Sequence, residues 1–123
     1  MASILVIDDE DSLRAALRRN LQKAGYHVIE ANEGRQGLQQ LASFPVNLVL
    51  IDIFMPGKEG LETIRELRRS YPNIPVIAMS GGGSKGMADV LGVATLLGAR
   101  RTLLKPFTGQ ELLEAVQHEL AKV

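Results

Sequence analysis

An α/β fold, with a parallel sheet covered by helices on both faces, is predicted by three features of the 123-residue sequence. Short apolar runs of strand length alternate with segments of helical period from end to end. Two of those runs, 47–52 (NLVLID) and 75–79 (PVIAM), are nearly continuous in apolar residues, as expected of strands buried on both sides. The chain is long enough for one domain with a real core, and no linker, low-complexity tract or repeat divides it.

The elements follow in order. A first strand is predicted over Ser3–Ile7. The helix after it carries Leu13, Ala16, Leu17 and Leu21 on one stripe and ends before Gly25, which reads as a C′ residue. His27–Ala31 forms the second strand, and Leu38 and Leu41 support a helix over 34–44 despite Gly37 inside it. The third strand is 47–52, and Leu61, Ile64 and Leu67 stripe the helix that follows. Strands at 75–79 and 102–104 come next. The last helix is the best marked, with Thr108 and Glu111 as a capping box, Phe107 and Leu112 as a hydrophobic staple, and Leu112, Leu113, Val116 and Leu120 facing inward. Right-handed crossovers then leave a flavodoxin-like (βα)5 doubly wound sheet of order 2-1-3-4-5. In that order, ligands bind beyond the strand C-termini, where the first and third strands are neighbours.

Composition narrows the function. Basic and acidic residues balance at 14 each, which argues against nucleic acid or an anionic membrane as the target of this domain. Arg68-Arg69 and Arg100-Arg101 fall where helices are expected to end and read as solvated C-termini. With no cysteine, disulfides and thiolate metal sites are excluded and a reducing, cytoplasmic setting is expected. The apolar start is too short for a signal peptide, and no segment is long enough to span a bilayer. His27 and His118 lack ligand spacing and read as surface or structural residues.

The chemistry gathers at the strand ends. The first strand runs into four consecutive acids, Asp8, Asp9, Glu10 and Asp11. Like charges at 4 Å repel by roughly 4 kcal/mol at the effective dielectric near a protein surface, so something must offset them. Glu10 and Asp11 suit the positive end of the first helix, with Asp11 or Ser12 as its N-cap. Asp8 and Asp9 instead meet Asp52, from the third strand, at the switch point of the sheet. Three carboxylates in one crevice call for protonation or a cation, and oxygen-only donors suit a hard ion such as Mg²⁺. Ser80 and Lys105 stand at the ends of the fourth and fifth strands. Together these supply the parts for phosphoryl transfer: a carboxylate nucleophile, charge neutralisation, and a hydroxyl to hold phosphoryl oxygens. Lys105-Pro106 adds a candidate cis peptide.

Taken as a set, VIDDED, LVLIDIFMPGKEG, VIAMSG and LLKPF resemble the receiver domains (CheY-like) of two-component response regulators, over essentially all of residues 1–123. The resemblance implies a phosphorylation-dependent switch rather than an enzyme. Asp52 would accept a phosphoryl group from a sensor histidine kinase or phosphotransfer protein, and an output domain or downstream protein would read the result. It also implies Mg²⁺ bound directly by Asp9, Asp52 and the backbone carbonyl of Phe54, and by Asp8 through water. Ser80 and Lys105 would contact phosphoryl oxygens. Pro56 and Gly57 would shape the loop after the acceptor, and Gly60 would allow close helix packing.

Three departures qualify the resemblance. Thr102 stands where the family usually has an aromatic ring that swings inward on activation, so this chain lacks that rotor. The stretch from Ser80 to Lys105 is longer than usual and opens with glycine-rich 81–86, whose ordering costs extra backbone entropy. Phe54 occupies a position where a polar side chain could place water. Phe54 is expected to shield the acyl phosphate, and Phe54→Asn to speed its hydrolysis in a dephosphorylation assay. Two other readings remain open: a pseudo-receiver that only binds partners, and a phosphatase working through an aspartyl-phosphate. The second lacks an acid two residues after Asp52, where Phe54 stands.

Overall fold

A computed structural model describes residues 1–53, 59–81, 92, 94, 95 and 97–121, without the side chain of Glu59. Phe54, Pro56, Gly57 and the glycines at 82, 83 and 86 therefore lie outside the described residues. Five strands are present: β1 (Ser3–Ile7), β2 (His27–Ala31), β3 (Leu48–Asp52), β4 (Val76–Gly81) and β5 (Arg101–Lys105). They form one sheet of order β2-β1-β3-β4-β5, parallel throughout, as predicted. The described helices are α1 (Asp11–Lys23), α2 (Gly34–Ser43), α3 (Glu59–Ser70) and α4 (Gly109–Ala121). Of the helix required between β4 and β5, Gly92, Ala94, Thr95 and Leu97 are described and helical, with Ala94 fully buried.

Alternation along each strand splits the core in two. Leu5, Ile7, Val49, Ile51 and Ala78 pack with Leu41 of α2 and with Ile64 and Leu67 of α3. Ile4, Val6, Leu48, Leu50, Ile77 and Met79 pack with Leu17 and Leu21 of α1 and with Leu112, Ala115 and Val116 of α4. β3 is buried along its whole length, which explains its unbroken apolar run. Each fully buried aliphatic side chain contributes about 1.5–3 kcal/mol, so the sheet is the rigid part on which a site can be built.

The helix ends follow local rules. α1 closes in a Schellman motif: Tyr26 N–H donates to the Leu21 carbonyl (3.1 Å) and Gly25 N–H to that of Gln22 (3.0 Å), with Gly25 at φ +96°. α4 opens on the expected capping box. Glu111 N–H donates to Thr108 Oγ1, and Thr108 N–H donates to Glu111 Oε1, both at 3.0 Å. Gly37 and Gly60 are there for space: a Cβ on Gly37 would enter the side chain of Ile7, and one on Gly60 would lie 2.7 Å from Ile53 Cα.

Other expectations are corrected. The cap of α1 is Glu10, not Asp11 or Ser12, and the Glu10 side chain makes no capping bond; Ser12 Oγ instead donates to Glu10 Oε1 at 3.4 Å. β4 runs on through Ser80 and Gly81, and β5 begins at Arg101, because the ladder pairs Ile77 with Arg101 and Gly81 with Lys105. Arg101 is thus a strand residue, not a helix end, and its guanidinium lies 3.7 Å from buried Glu119 of α4. Arg68 and Arg69 do occupy the last turn of α3.

Candidate functional site

Parallel register places the chemistry at one edge of the sheet. β1 and β3 are neighbours, pairing Ile7 with Ile51, so Asp8 and Asp52, the next residue of each strand, emerge side by side. Asp8 N–H still extends the ladder to the Ala31 carbonyl (3.0 Å), and the Asp8 carboxylate accepts Glu10 N–H (2.9 Å). Asp8 and Asp52 are buried, whereas Asp9 is exposed. One oxygen from each of Asp8, Asp9 and Asp52 lies within 4.8 Å of the others. Lys105, at the end of β5 and followed by a cis bond to Pro106, reaches back to this cluster. Its Nζ donates to Asp52 Oδ2 at 3.0 Å and stands 3.6 Å from Asp8 Oδ2.

Ser80 is fully buried on β4. It follows Met79, the register partner of Asp52, and pairs with Leu104, the neighbour of Lys105. The sheet therefore brings Asp8, Asp9, Asp52 and Lys105 into one group and sets Ser80 at the adjoining strand end. Phe54, the fourth expected ligand, is outside the described residues. Thr102 is half-buried on β5 opposite Ala78.

The electrostatics favour a cation. Burial is the largest influence on Asp8 and pushes its carboxyl above the usual range; the Glu10 N–H and Lys105 oppose the rise, and Asp52 and Asp9 add to it. Among the described residues no donor hydrogen-bonds buried Asp8 Oδ2, which has Lys105 Nζ at 3.6 Å only as a counter-charge. An orphaned buried carboxylate oxygen facing two more carboxylates is the donor set a hard divalent ion takes, so the residues fit Mg²⁺.

Linkage gives this a sign. With its folded pKa raised above 3.8, Asp8 contributes nothing below 3.8, destabilises the fold increasingly as pH climbs from 3.8 to the folded value, and levels off above it. In chelator, Asp8→Asn should thus stabilise the protein at neutral pH by about 1–3 kcal/mol, the usual cost of an unsatisfied buried polar group. The gain should shrink on acidification, as urea melts at neutral and acidic pH would register.

Sequence reasoning missed a second cluster behind the acids. Arg14 of α1 donates from Nη1 to the Asp8 carbonyl (2.7 Å), from Nη2 to Asp11 (2.7 Å) and from Nε to Glu30 of β2 (3.3 Å). Arg18 Nη1 donates to the other oxygen of Glu30 at 2.9 Å. The available signal was Glu30, a lone charge inside the apolar run HVIEA.

A family model described as the response regulator receiver domain matches residues 4–117. The chain belongs to this family. Receiver domains serve two-component signalling, and this receiver shares that assignment. It is 38% identical over 117 residues to the transcriptional regulatory protein CpxR of Klebsiella pneumoniae subsp. pneumoniae (strain HS11286), covering 95% of this chain and 48% of that protein. CpxR of Escherichia coli (strain K12) is 37% identical over the same extent. The receiver thus spans about half the length of the curated relatives it matches. A CheY-like receiver domain protein from Methanospirillum hungatei JF-1 superposes with a TM-score of 0.90 at 26% identity, covering 99% of this chain and 95% of the other. NtrX from Brucella abortus, crystallised with ADP, gives 0.90 at 28% identity over 99% of this chain and 28% of its own. Among the described residues, no helix of the receiver is long and apolar enough to cross a membrane.

Proposed function

We propose that this receiver is a phosphorylation-operated switch in which Asp52 takes a phosphoryl group from a histidine kinase or phosphotransfer protein. The observation that carries the reading is the approach of Lys105 Nζ to Asp52 Oδ2 at 3.0 Å, beside two further carboxylates. An Asp52 carboxylate oxygen attacks phosphorus, the bond from phosphorus to the donor's imidazole nitrogen breaks, and that nitrogen leaves with the electron pair and regains a proton from solvent. Lys105 balances the charge that spreads over the phosphoryl oxygens, and the Ser80 hydroxyl binds one of them. Asp9, Asp52 and the Phe54 carbonyl would hold Mg²⁺ directly and Asp8 through water. When bound, the ion neutralises phosphoryl charge.

The chain assists its own phosphorylation and hydrolysis and turns over no separate substrate, so it is a switch and not an enzyme. Phosphorylated Asp52 carries about −1.5 to −2 charge in place of the carboxylate's −1, beside Lys105, biasing the domain toward a form that binds its output domain or downstream protein. A cytoplasmic location suits this role. Because Thr102 offers no ring to turn inward, the signal leaves by another route than an aromatic rotor.

Incubation with acetyl phosphate and Mg²⁺, followed by intact mass, tests the reading. Wild type should gain one phosphoryl group, and chelation of Mg²⁺ should prevent the gain. No gain with Mg²⁺ present would leave the partner-binding pseudo-receiver instead. Multiple turnover of ordinary phosphoesters would point to a phosphatase.

A further inference from the structure

We propose that Arg14 is a positioning residue of the carboxylate cluster, fixing the Asp8–Asp9 backbone and thereby setting the affinity of the site for a divalent cation. The inference rests on the reading of Asp8, Asp9 and Asp52 as a metal site. Asp9 is the exposed member of that cluster and sits just past the end of β1, where ladder hydrogen bonds no longer hold the chain. Its aim depends on the peptide that joins it to Asp8. That peptide's carbonyl receives Arg14 Nη1 at 2.7 Å, a short charge-assisted bond.

Arg14 is itself held. Its side chain is only 16% exposed, and Glu30, on the strand beside β1, accepts its Nε at 3.3 Å. Arg18 fastens the second Glu30 oxygen at 2.9 Å, so the carboxylate is clamped between two turns of α1. The contact with Asp11 is on the surface and contributes little. The chain of contacts therefore runs from Arg18 through Glu30 and Arg14 to the Asp8 carbonyl, tying α1 and β2 to the backbone that carries two of the three acids. A planar guanidinium spreads its donors over a fixed fork that reaches a carbonyl and two carboxylates in different directions; an ammonium offers its three from a single point.

A pure field effect predicts the opposite sign. Deleting a nearby positive charge would tighten binding of a cation, whereas deleting a positioning group loosens it. Calorimetric titration with MgCl₂, paired with melting in chelator, separates the two for Arg14→Met and Arg14→Lys. Arg14→Met should weaken Mg²⁺ binding about tenfold, the lower end of what loss of an outer-shell partner costs. The half-saturating Mg²⁺ for phosphorylation by acetyl phosphate should rise by a similar factor, by more than the rate at saturation falls. Arg14→Lys, with the charge kept, should still bind more weakly than wild type. An unchanged or tighter affinity in Arg14→Met overturns the proposal, whatever happens to its melting temperature. If Arg14→Met does not fold, Arg14→Lys decides, because it keeps the charge and changes only the geometry: weaker binding supports the proposal and an unchanged affinity overturns it. Wild type that binds no Mg²⁺ removes the metal site itself, a result visible before any variant is made.

Discussion

Asp52→Asn is expected to take up no phosphoryl group from acetyl phosphate, while melting within about 5 °C of wild type in chelator, a shift of roughly 1 kcal/mol. A carboxamide lacks the anionic oxygen that attacks phosphorus, so the chemical loss is complete. Stability hardly moves because two effects oppose each other. The substitution removes the ion pair with Lys105 at 3.0 Å, but it also removes repulsion from Asp8 and Asp9, whose oxygens lie within 4.8 Å. Each is of the order of a few kcal/mol at an effective dielectric of about 20. Lys105 meanwhile keeps Asp8 at 3.6 Å as a counter-charge. Intact mass and a thermal melt on the same sample would check both halves. Phosphoryl uptake by Asp52→Asn at the wild-type rate would mean another residue is the acceptor.

Lys105→Met should show the second large effect, this time in rate and stability together. Losing one preorganised cation from a site of developing negative charge typically costs about 10²-fold or more in rate, and uptake from acetyl phosphate should slow accordingly. The substitution also removes the counter-charge beside two buried carboxylates. Breaking a buried pair costs about 3–5 kcal/mol; because the lysine side chain is 18% exposed and partly screened, about 2–3 kcal/mol is expected. Without the ammonium, ionisation of Asp8 becomes less favourable, so the deficit should narrow as pH falls and that acid protonates. Added Mg²⁺ should raise the melting temperature of Lys105→Met more than that of wild type. Equal deficits at neutral and acidic pH would show that Lys105 stabilises through packing instead.

The fold could be read from the sequence because its signals are local. Strands such as LVLID are apolar on both faces, Thr108 and Glu111 mark a helix start by type and spacing, and Gly25 marks an end. The site was legible for a related reason: in a parallel sheet of this order, residues after the first and third strands must be neighbours, so Asp8, Asp9 and Asp52 converge by topology alone. Contacts that depend on long side chains crossing between elements were not legible. Arg14 looks like any solvated helical arginine until β2 places Glu30 against it. Glu119 sits at a position in α4 that only the sheet reveals as buried, and its nearby Arg101 was read as a helix end because nothing local showed β5 starting there. The cap of α1 was misplaced because four acids in a row all suit a helix start, and sequence does not say which one turns back toward the sheet.

The acids beside Lys105 have an outer and an inner side. Asp9 faces bulk water, while Asp8 and Asp52 are closed off behind it. On the proposed reading, an ion arriving from solution would meet the outward carboxylate before the enclosed two, so capture and retention would fall to different side chains. Speed of loading would then belong to Asp9, and length of stay to the inner pair.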